Sequence, residues 1–157
     1  MSIWVSFIAV NVLAASSGAI FKPGAWYAGL NKPAWCPPNW LFAPAWTVLY
    51  AINVWVGVRV YEAAAPEVVT PLMALYGASL VFNAAWSGFF FGLKRPDWAL
   101  AELVFLWGSI LAQIILFTPV ESTAALMLLP YLAWVSFAGV LNFAMWRLNR
   151  APQSLAV

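Results

Sequence analysis

Long apolar runs, separated by a few short polar stretches, dominate the pattern along this chain. Five of these runs approach the roughly 20 residues that an α-helix needs to cross a bilayer. They predict membrane spans over residues 3–21, 40–61, 71–92, 98–117 and 123–148. The pattern therefore predicts an all-α membrane protein, a five-transmembrane-helix bundle that forms one domain over residues 1–157.

Proline and capping residues predict where several of these helices begin. Thr70 and Pro71 are expected as N-cap and first residue of the third span, because proline at that position gives up only an N–H that has no partner. Asp97 is expected to cap the fourth span, and Pro130 to bend the fifth. The two residues before the first run carry no Lys or Arg, so this run is expected to be a retained helix and not a signal peptide.

Composition supports the membrane class and excludes much familiar chemistry. The chain is 65% hydrophobic and only 8% charged, against roughly 25% charged in soluble domains. It has no His and one cysteine, Cys36, which excludes a structural zinc site, a Ser-His-Asp triad and an intrachain disulfide. The net charge of +2 is too small for a nucleic-acid-binding surface, so no nucleic-acid partner is expected.

The positive charges sort to one side of the predicted bundle. Five spans place the two termini on opposite sides, and one side then holds every Lys and Arg except Arg59, namely Lys22, Lys32, Lys94, Arg95, Arg147 and Arg150. Under the positive-inside rule this side faces the cytoplasm, so we expect the N-terminus outside and the C-terminus inside. The charge bias favours the inner membrane of a bacterium.

Polar and aromatic residues recur at helical spacing within each predicted span. The faces are Asn11, Ala15 and Gly18; Trp46, Tyr50, Asn53 and Gly57; Tyr76, Asn83, Ser87 and Phe90, beside Trp86; Glu102, Leu106, Ser109 and Gln113; and Tyr131, Trp134, Ala138 and Asn142. The Asn residues could simply tie helices together. Large aromatics on the same faces instead favour a slot for a flat apolar ligand, so we expect the five faces to converge on one interior. Glu102 is expected near the cytoplasmic interface.

Small residues in the third span predict self-association. Gly88 and Gly92 form a GxxxG pattern, and Ala74 and Ala78 form a weaker equivalent. Such spacing lets two helix backbones approach closely. A homodimer through the third span is therefore expected.

Five blocks of sequence resemble one family. Residues 22–38 read KPGAWYAGLNKPAWCPP, and residues 42–50 read FAPAWTVLY. Residues 82–87 read FNAAWS and are followed by FFGLK at 90–94. Residues 130–134 read PYLAW, and residues 141–142, LN, stand ahead of RLN at 147–149. In their order and content these blocks resemble the TspO/MBR family, the bacterial tryptophan-rich sensory proteins related to the mitochondrial translocator protein, or peripheral benzodiazepine receptor.

The resemblance implies a five-helix bundle, often dimeric, that binds porphyrins such as protoporphyrin IX and haem, with no obligatory cofactor. Some members bind sterols or benzodiazepine-type ligands, and some occur in outer membranes. The implied pocket lies under a lid loop, residues 22–39, between the first, second, third and fifth helices. Carried onto this chain, it uses Gly18, Tyr27, Pro37, Trp46, Tyr50, Asn83, Trp86, Trp134 and Ala138, with Tyr27 and Pro37 as lid residues; the helical face adds Asn142.

One motif departs from the family. The sterol-binding pattern of the mitochondrial relatives needs a tyrosine where this chain has Phe143, and such motifs are weak even when intact. A sterol is therefore a doubtful ligand, while another membrane lipid stays open.

Three functions fit these predictions. The first is a porphyrin sensor or regulator of tetrapyrrole metabolism and stress, in which Asn83 and Asn142 offer hydrogen bonds and ligand carboxylates reach Lys22, Lys32 or Arg147. Without His, and with Cys36 as the only soft ligand, metal-free porphyrin is expected to bind comparably to haem. The second is light- and oxygen-dependent porphyrin degradation, and not conventional enzymatic chemistry. The third, transport of porphyrins or lipids, lacks a visible inverted repeat.

Overall fold

The computed structural model describes residues 2–150, so Met1 and residues 151–157 of the predicted domain lie outside the described part. Helices account for the regular structure of that part, which contains no strand. The α-helices are α1 (Ile3–Ile20), α2 (Ala25–Ala28), α3 (Phe42–Ala63), α4 (Pro66–Ser87), α5 (Pro96–Phe117), α6 (Ser122–Leu126) and α7 (Leu129–Asn149). A 3₁₀ turn, Asn39–Leu41, leads into α3, and a π-helical segment, Gly88–Gly92, extends α4.

Five helical stretches of the described chain are long and apolar enough to cross a membrane. They are Ile3–Ile20, Asn39–Ala63, Pro66–Gly92, Pro96–Phe117 and Ser122–Asn149. The prediction of an all-α protein with five membrane spans is confirmed.

The third span begins earlier than predicted. Ala65 is the N-cap of α4 and Pro66 occupies its first turn, so the expected cap at Thr70 was wrong and Pro71 lies inside the helix. Pro66 takes the place that proline tolerates best, and the acidic Glu67 in the same turn suits the positive end of the helix dipole. Pro71 cannot donate to the carbonyl of Glu67, but Glu67 is exposed at the helix end, where solvent can satisfy that group.

Two other boundary predictions also need correction. Arg95 is the N-cap of α5, and Asp97 lies in the first turn, where its carboxylate accepts a hydrogen bond from Arg95 Nε at 2.8 Å instead of capping the helix. Pro130 does not bend a continuous fifth span. It lies in the first turn of α7, after residues 127–128 have separated α7 from α6.

The bundle packs in two groups of helices that share α4. Helix α5 lies against both α4 and α7, while α1 packs on α3 and α4. The backbones of α3 and α7 come close to each other at few positions. The space that this leaves is filled partly by side chains and partly by a cavity.

Basic residues gather at one end of this bundle, which we call the basic end. There the lid loop meets the end of α7 through Asn31 and Asn149. Phe21, which follows α1, meets Gly92 at the end of the π-helical segment. At the opposite end Arg59 pairs with Glu121 at 3.5 Å. The structure thus brings together the segments that carry the six cations, as the sequence predicts.

The GxxxG pattern of the third span is covered from within the chain. A Cβ atom added to Gly92 would lie 2.9 Å from Phe21 Cδ1, and one added to Gly88 would lie 3.7 Å from Phe21 Cε2. The ring of Phe21 therefore occupies the groove that the two glycines form. Ala74, in contrast, is exposed, so a dimer through the third span would use the Ala74 and Ala78 positions.

Candidate functional site

A cavity of about 470 Å³ lies at the basic end of the bundle. This volume falls within the range of small-molecule sites, roughly 300–1,000 Å³. Its walls come from α1, the lid loop, α3, α4 with its π-helical extension, and α7. The lining residues are Ala15, Ser17, Gly18, Ala19, Pro23, Tyr27, Asn39, Phe42, Ala43, Trp46, Thr47, Tyr50, Asn83, Trp86, Ser87, Phe90, Phe91, Trp134, Ala138, Leu141, Asn142 and Met145.

The structure brings most of the sequence-predicted site residues to this one cavity. Gly18, Tyr27, Trp46, Tyr50, Asn83, Trp86, Trp134, Ala138 and Asn142 all line it. Pro37 does not line it, although it belongs to the lid loop. Whether these residues bind a ligand stays a prediction.

Aromatic side chains bridge the gap between α3 and α7. The rings of Trp46 and Trp134 are perpendicular, with centroids 6.4 Å apart. Phe42 meets Trp134 edge to face at 5.9 Å, and Trp46 meets Tyr131 at 6.3 Å. Because these rings replace backbone contact between the two helices, they hold one side of the cavity open and also form its wall.

The π-helical segment forms a second aromatic wall. Trp86 stacks on Phe90 with a centroid distance of 5.1 Å and an interplanar angle of 23°. Tyr27 of the lid loop packs edge to face on Phe91 at 5.5 Å. Two successive phenylalanines, Phe90 and Phe91, thus line the cavity in a segment where the α-helical hydrogen-bond pattern is interrupted, as often occurs at functional sites.

Some polar groups of the cavity wall are engaged with the protein itself, whereas Trp86 Nε1, Trp134 Nε1 and Asn142 Oδ1 have no hydrogen-bond partner among residues 2–150. Asn83 accepts a hydrogen bond from the Tyr50 hydroxyl and donates one to Tyr131 Oη at 2.8 Å. Asn142 Nδ2 donates to the carbonyl of Pro96 at 2.7 Å. The two asparagines therefore tie helices together. The amide oxygen and nitrogen of Asn83 are both occupied, while Asn142 keeps a free acceptor in Oδ1.

The cavity wall carries no formal charge. Asp, Glu, Lys and Arg are all absent from the residues that line it. Burial raises the pKa of the Tyr27 phenol to about 12, with nearby Cys36 adding to the shift. Tyr27 is thus a neutral phenol at physiological pH, and the cavity suits the uncharged part of a ligand.

Part of three predicted faces lies outside the cavity. Asn53 and Tyr76 join Asn11 in a buried cluster in which Asn11 Nδ2 donates to Tyr76 Oη at 2.6 Å and Asn53 Nδ2 donates to Asn11 Oδ1 at 3.0 Å. Tyr76 in turn donates to the carbonyl of Asn53 at 3.1 Å. These side chains tie α1, α3 and α4 together, so the expectation that whole faces converge on one interior was wrong for them.

The fourth span contributes nothing to the wall of the large cavity. The α5 residues Leu103 and Leu106 line only a void of about 10 Å³ between α4, α5 and α7. Glu102 is 8% exposed, and neither of its carboxylate oxygens has a hydrogen-bond partner among residues 2–150. Its side chain is on the packed face of α5 and does not face the surface, while its expected place near the cytoplasmic interface stays a prediction.

Several lining residues were not among the predicted site residues. Leu141 and Met145 follow Ala138 at three and seven positions along α7, and Phe42 precedes Trp46 by one turn of α3. Helical spacing alone could have extended the predicted faces to these apolar positions. Phe91 could not be found in this way, because an α-helical period does not put both Phe90 and Phe91 on one face.

The fold and the cavity define a class of protein: a five-helix membrane bundle that encloses an uncharged, tryptophan-walled cavity under a loop at its basic end. Residues 6–147 match the model of the TspO/MBR family, and the chain belongs to this family. It is 40% identical to Protein CrtK of Rhodobacter capsulatus over all of this chain and 99% of that protein.

Two further relatives extend the likeness. The tryptophan-rich sensory protein of Cereibacter sphaeroides is 38% identical over 94% of this chain and 92% of its own length. The translocator protein of Bos taurus is 37% identical over 96% of this chain and 92% of its own length. Family membership and the five apolar helices make this chain an integral membrane protein.

Proposed function

We propose that this protein binds a tetrapyrrole such as protoporphyrin IX or haem in the cavity and acts as a membrane sensor or regulator of tetrapyrrole metabolism and stress responses. The observation that carries the proposal is a cavity of about 470 Å³ with tryptophan walls and no charged lining residue. The names of the relatives, sensory protein and translocator protein, agree with a sensing or carrier role.

The walls suit a flat aromatic macrocycle. Trp46 and Trp134 come from α3 and α7, while Trp86 comes from α4 and Phe90 from its π-helical extension. A flat ligand between them could place its faces and edges against aromatic rings, contacts worth about 0.5–1.5 kcal/mol each beyond the buried area. Small residues such as Gly18 and Ala138 leave room beside these rings.

The cavity offers few side chains that could act as axial ligands for haem iron. Cys36 does not line it, and the neutral phenol of Tyr27 is a poor ligand for iron. The Met145 thioether is the remaining candidate among the lining residues. We therefore expect metal-free porphyrin and haem to bind with similar affinity.

Two alternative functions of the same cavity stay open. Aromatic walls also suit light- and oxygen-dependent porphyrin degradation, which would appear as loss of porphyrin faster than photobleaching without protein. Transport of porphyrins or lipids would appear as counterflow in proteoliposomes. A sensor is expected to bind porphyrin saturably, without porphyrin loss beyond photobleaching and without counterflow.

Gly18 offers a sharp test of the proposed site. Gly18 lines the cavity, and a Cβ atom added there would meet nothing within 4 Å. Gly18→Leu should therefore fill the cavity without distorting the helix, and weaken protoporphyrin IX binding at least tenfold in a tryptophan-fluorescence titration. Gly108→Leu is the matched control, since Gly108 is an exposed helical glycine that also has open space. Equal affinity of the two variants for protoporphyrin IX would show that the ligand binds outside this cavity.

A further inference from the structure

Two lysines flank the contact that joins α1 to the end of the third span. The Phe21 ring lies so close to Gly92 that an added Cβ would be 2.9 Å away. Lys22 follows Phe21 directly, and Lys94 lies two residues beyond Gly92. The docking of Phe21 thus brings both cations to one edge of the basic end.

This edge adjoins the cavity. Pro23, next to Lys22, lines the cavity, and so does Phe91, three residues before Lys94. Both lysines are exposed, and within residues 2–150 neither ammonium group has a hydrogen-bond or ion-pair partner. They are free cations beside an uncharged pocket.

The other cations of the lid and of α7 are less suited to meet a ligand in the cavity. Lys32 Nζ donates to the carbonyl of Tyr27 at 2.6 Å and lies 4.5 Å from the centroid of the Tyr27 ring. Its ammonium group therefore stabilises the lid loop and is already engaged. Arg147 is two residues after Met145, which lines the cavity. Two residues turn an α-helix by roughly 200°, so Arg147 leaves α7 on the side away from the cavity.

Arg95 and Arg150 also have partners. Arg95 pairs with Asp97 and lies over the Trp98 ring, 4.7 Å from its centroid. Arg150 lies over Trp146 at 5.0 Å. Of the six cations at the basic end, Lys22 and Lys94 are thus the pair that is both uncommitted and beside the cavity.

Building on the proposed function, we infer that Lys22 and Lys94 form a carboxylate-binding rim. A carboxylate buried in the uncharged cavity would pay a desolvation penalty without a partner, so the acidic groups of a ligand must stay at its mouth. Two lysines at one edge fit a tetrapyrrole that carries two carboxylates on one side of the macrocycle. The rim therefore selects acidic tetrapyrroles over neutral ones and orients the macrocycle inwards.

The test compares protoporphyrin IX with its dimethyl ester, which has the same ring but no carboxylate. Their affinities are measured by tryptophan quenching in neutral detergent at low salt. The wild-type protein should prefer the diacid, and replacing both lysines (Lys22→Gln with Lys94→Gln) should lower that preference about tenfold, while ester affinity stays unchanged. The control replaces Arg147 and Arg150 by Gln, which removes the same charge from the same end and should leave the preference intact. High salt should reduce the preference of the wild-type protein.

The outcomes separate this inference from the proposed function. If both porphyrins bind the wild-type cavity but the lysine variant keeps the full preference for the diacid, the rim is rejected and the cavity site stands. If wild-type protein binds neither porphyrin, the proposed function itself fails. If the lysine variant keeps the preference in detergent and loses affinity only for vesicles that contain anionic lipid, the lysines contact lipid headgroups and the rim is rejected.

Discussion

Asn149, the last residue of α7, holds the backbone of Asn31 in the lid loop with two hydrogen bonds. Asn31 N–H donates to Asn149 Oδ1 at 2.9 Å, and Asn149 Nδ2 donates to the Asn31 carbonyl at 2.9 Å. The two residues are 118 positions apart in sequence. The side-chain amide thus clamps the loop that covers the cavity to the helix that forms one of its walls.

Breaking this clamp should speed ligand exchange. Asn149→Ala removes both hydrogen bonds to the lid. Each bond is worth about 1 kcal/mol, so their loss should speed lid opening by roughly fivefold if one bond counts and by about thirtyfold if both do. Because the ligand must open the lid both to enter and to leave, association and dissociation should accelerate by similar factors while Kd changes little. Stopped-flow tryptophan quenching measures both rates. Thr118→Ala, which removes a helix-end hydrogen bond to Ile114 at the opposite end of the bundle, should leave them unchanged.

The aromatic wall should carry much of the porphyrin affinity. Trp134→Ala removes a ring that contacts both Trp46 and Phe42, and we expect affinity for protoporphyrin IX to fall at least tenfold, the equivalent of about 1.4 kcal/mol. Trp98 is 51% exposed and does not line the cavity, so Trp98→Ala controls for the loss of a tryptophan. Both variants should keep the same helical content in detergent. Indistinguishable affinities would mean that the porphyrin binds elsewhere.

Close packing of α1 on α3 should make Gly57 indispensable for stability. A Cβ atom at Gly57 would lie 2.5 Å from Phe7 Cδ1 and 2.9 Å from Tyr76 Cζ. Gly57→Ala should therefore cost about 1–3 kcal/mol of unfolding free energy, as overpacking usually does. Gly77→Ala has nothing within 4 Å and should not destabilise the protein. Thermal unfolding in one detergent compares the two, and an equally stable Gly57→Ala would show that Phe7 can move aside.

The orientation prediction can be tested with single cysteines in a Cys36→Ala background. Ser2→Cys should react with a membrane-impermeant thiol reagent added to intact cells, because the charge bias predicts an N-terminus outside. Lys94→Cys at the basic end should react only after the membrane is permeabilised. The opposite labelling pattern would reverse the orientation.

Dimerisation is expected to use the small residues Ala74, which is exposed, and Ala78, which is partly buried, in the third span. Ala78→Leu should weaken a homodimer, because bulk at this position would keep two helix backbones apart. Gly108→Leu adds the same bulk to the exposed surface of α5 and should not affect it. Sedimentation equilibrium in detergent measures the effect. A dimer of equal strength in both variants would place the interface on another helix.

The class of structure follows from the sequence because bilayer thickness and backbone hydrogen bonding leave few alternatives. Apolar runs of the right length predict the number of spans, and helical spacing predicts that Trp46, Tyr50 and Trp134 share an interior. The pattern fixes the ends of the helices less well than their number. Two prolines, Pro66 and Pro71, stand at the start of the third span, and the pattern of residues does not determine which one occupies the first turn.

Only the tertiary structure decided which polar residues meet one another. Asn53 and Asn83 look alike in sequence, each on a helical face with aromatic residues, yet Asn53 joins the cluster with Asn11 while Asn83 lines the cavity. The difference depends on which neighbouring helix lies opposite each side chain, and a periodic pattern carries no information about that. The same reason explains why Phe21, an apolar residue at the end of a span, fills the GxxxG groove that the sequence suggested for a second chain. The sequence by itself therefore determined the helices, their faces and the charge of each end of the bundle. The packing of α1, α3, α4 and α7 decided which helix lies opposite each side chain, and with it where the cavity lies and which residues line it.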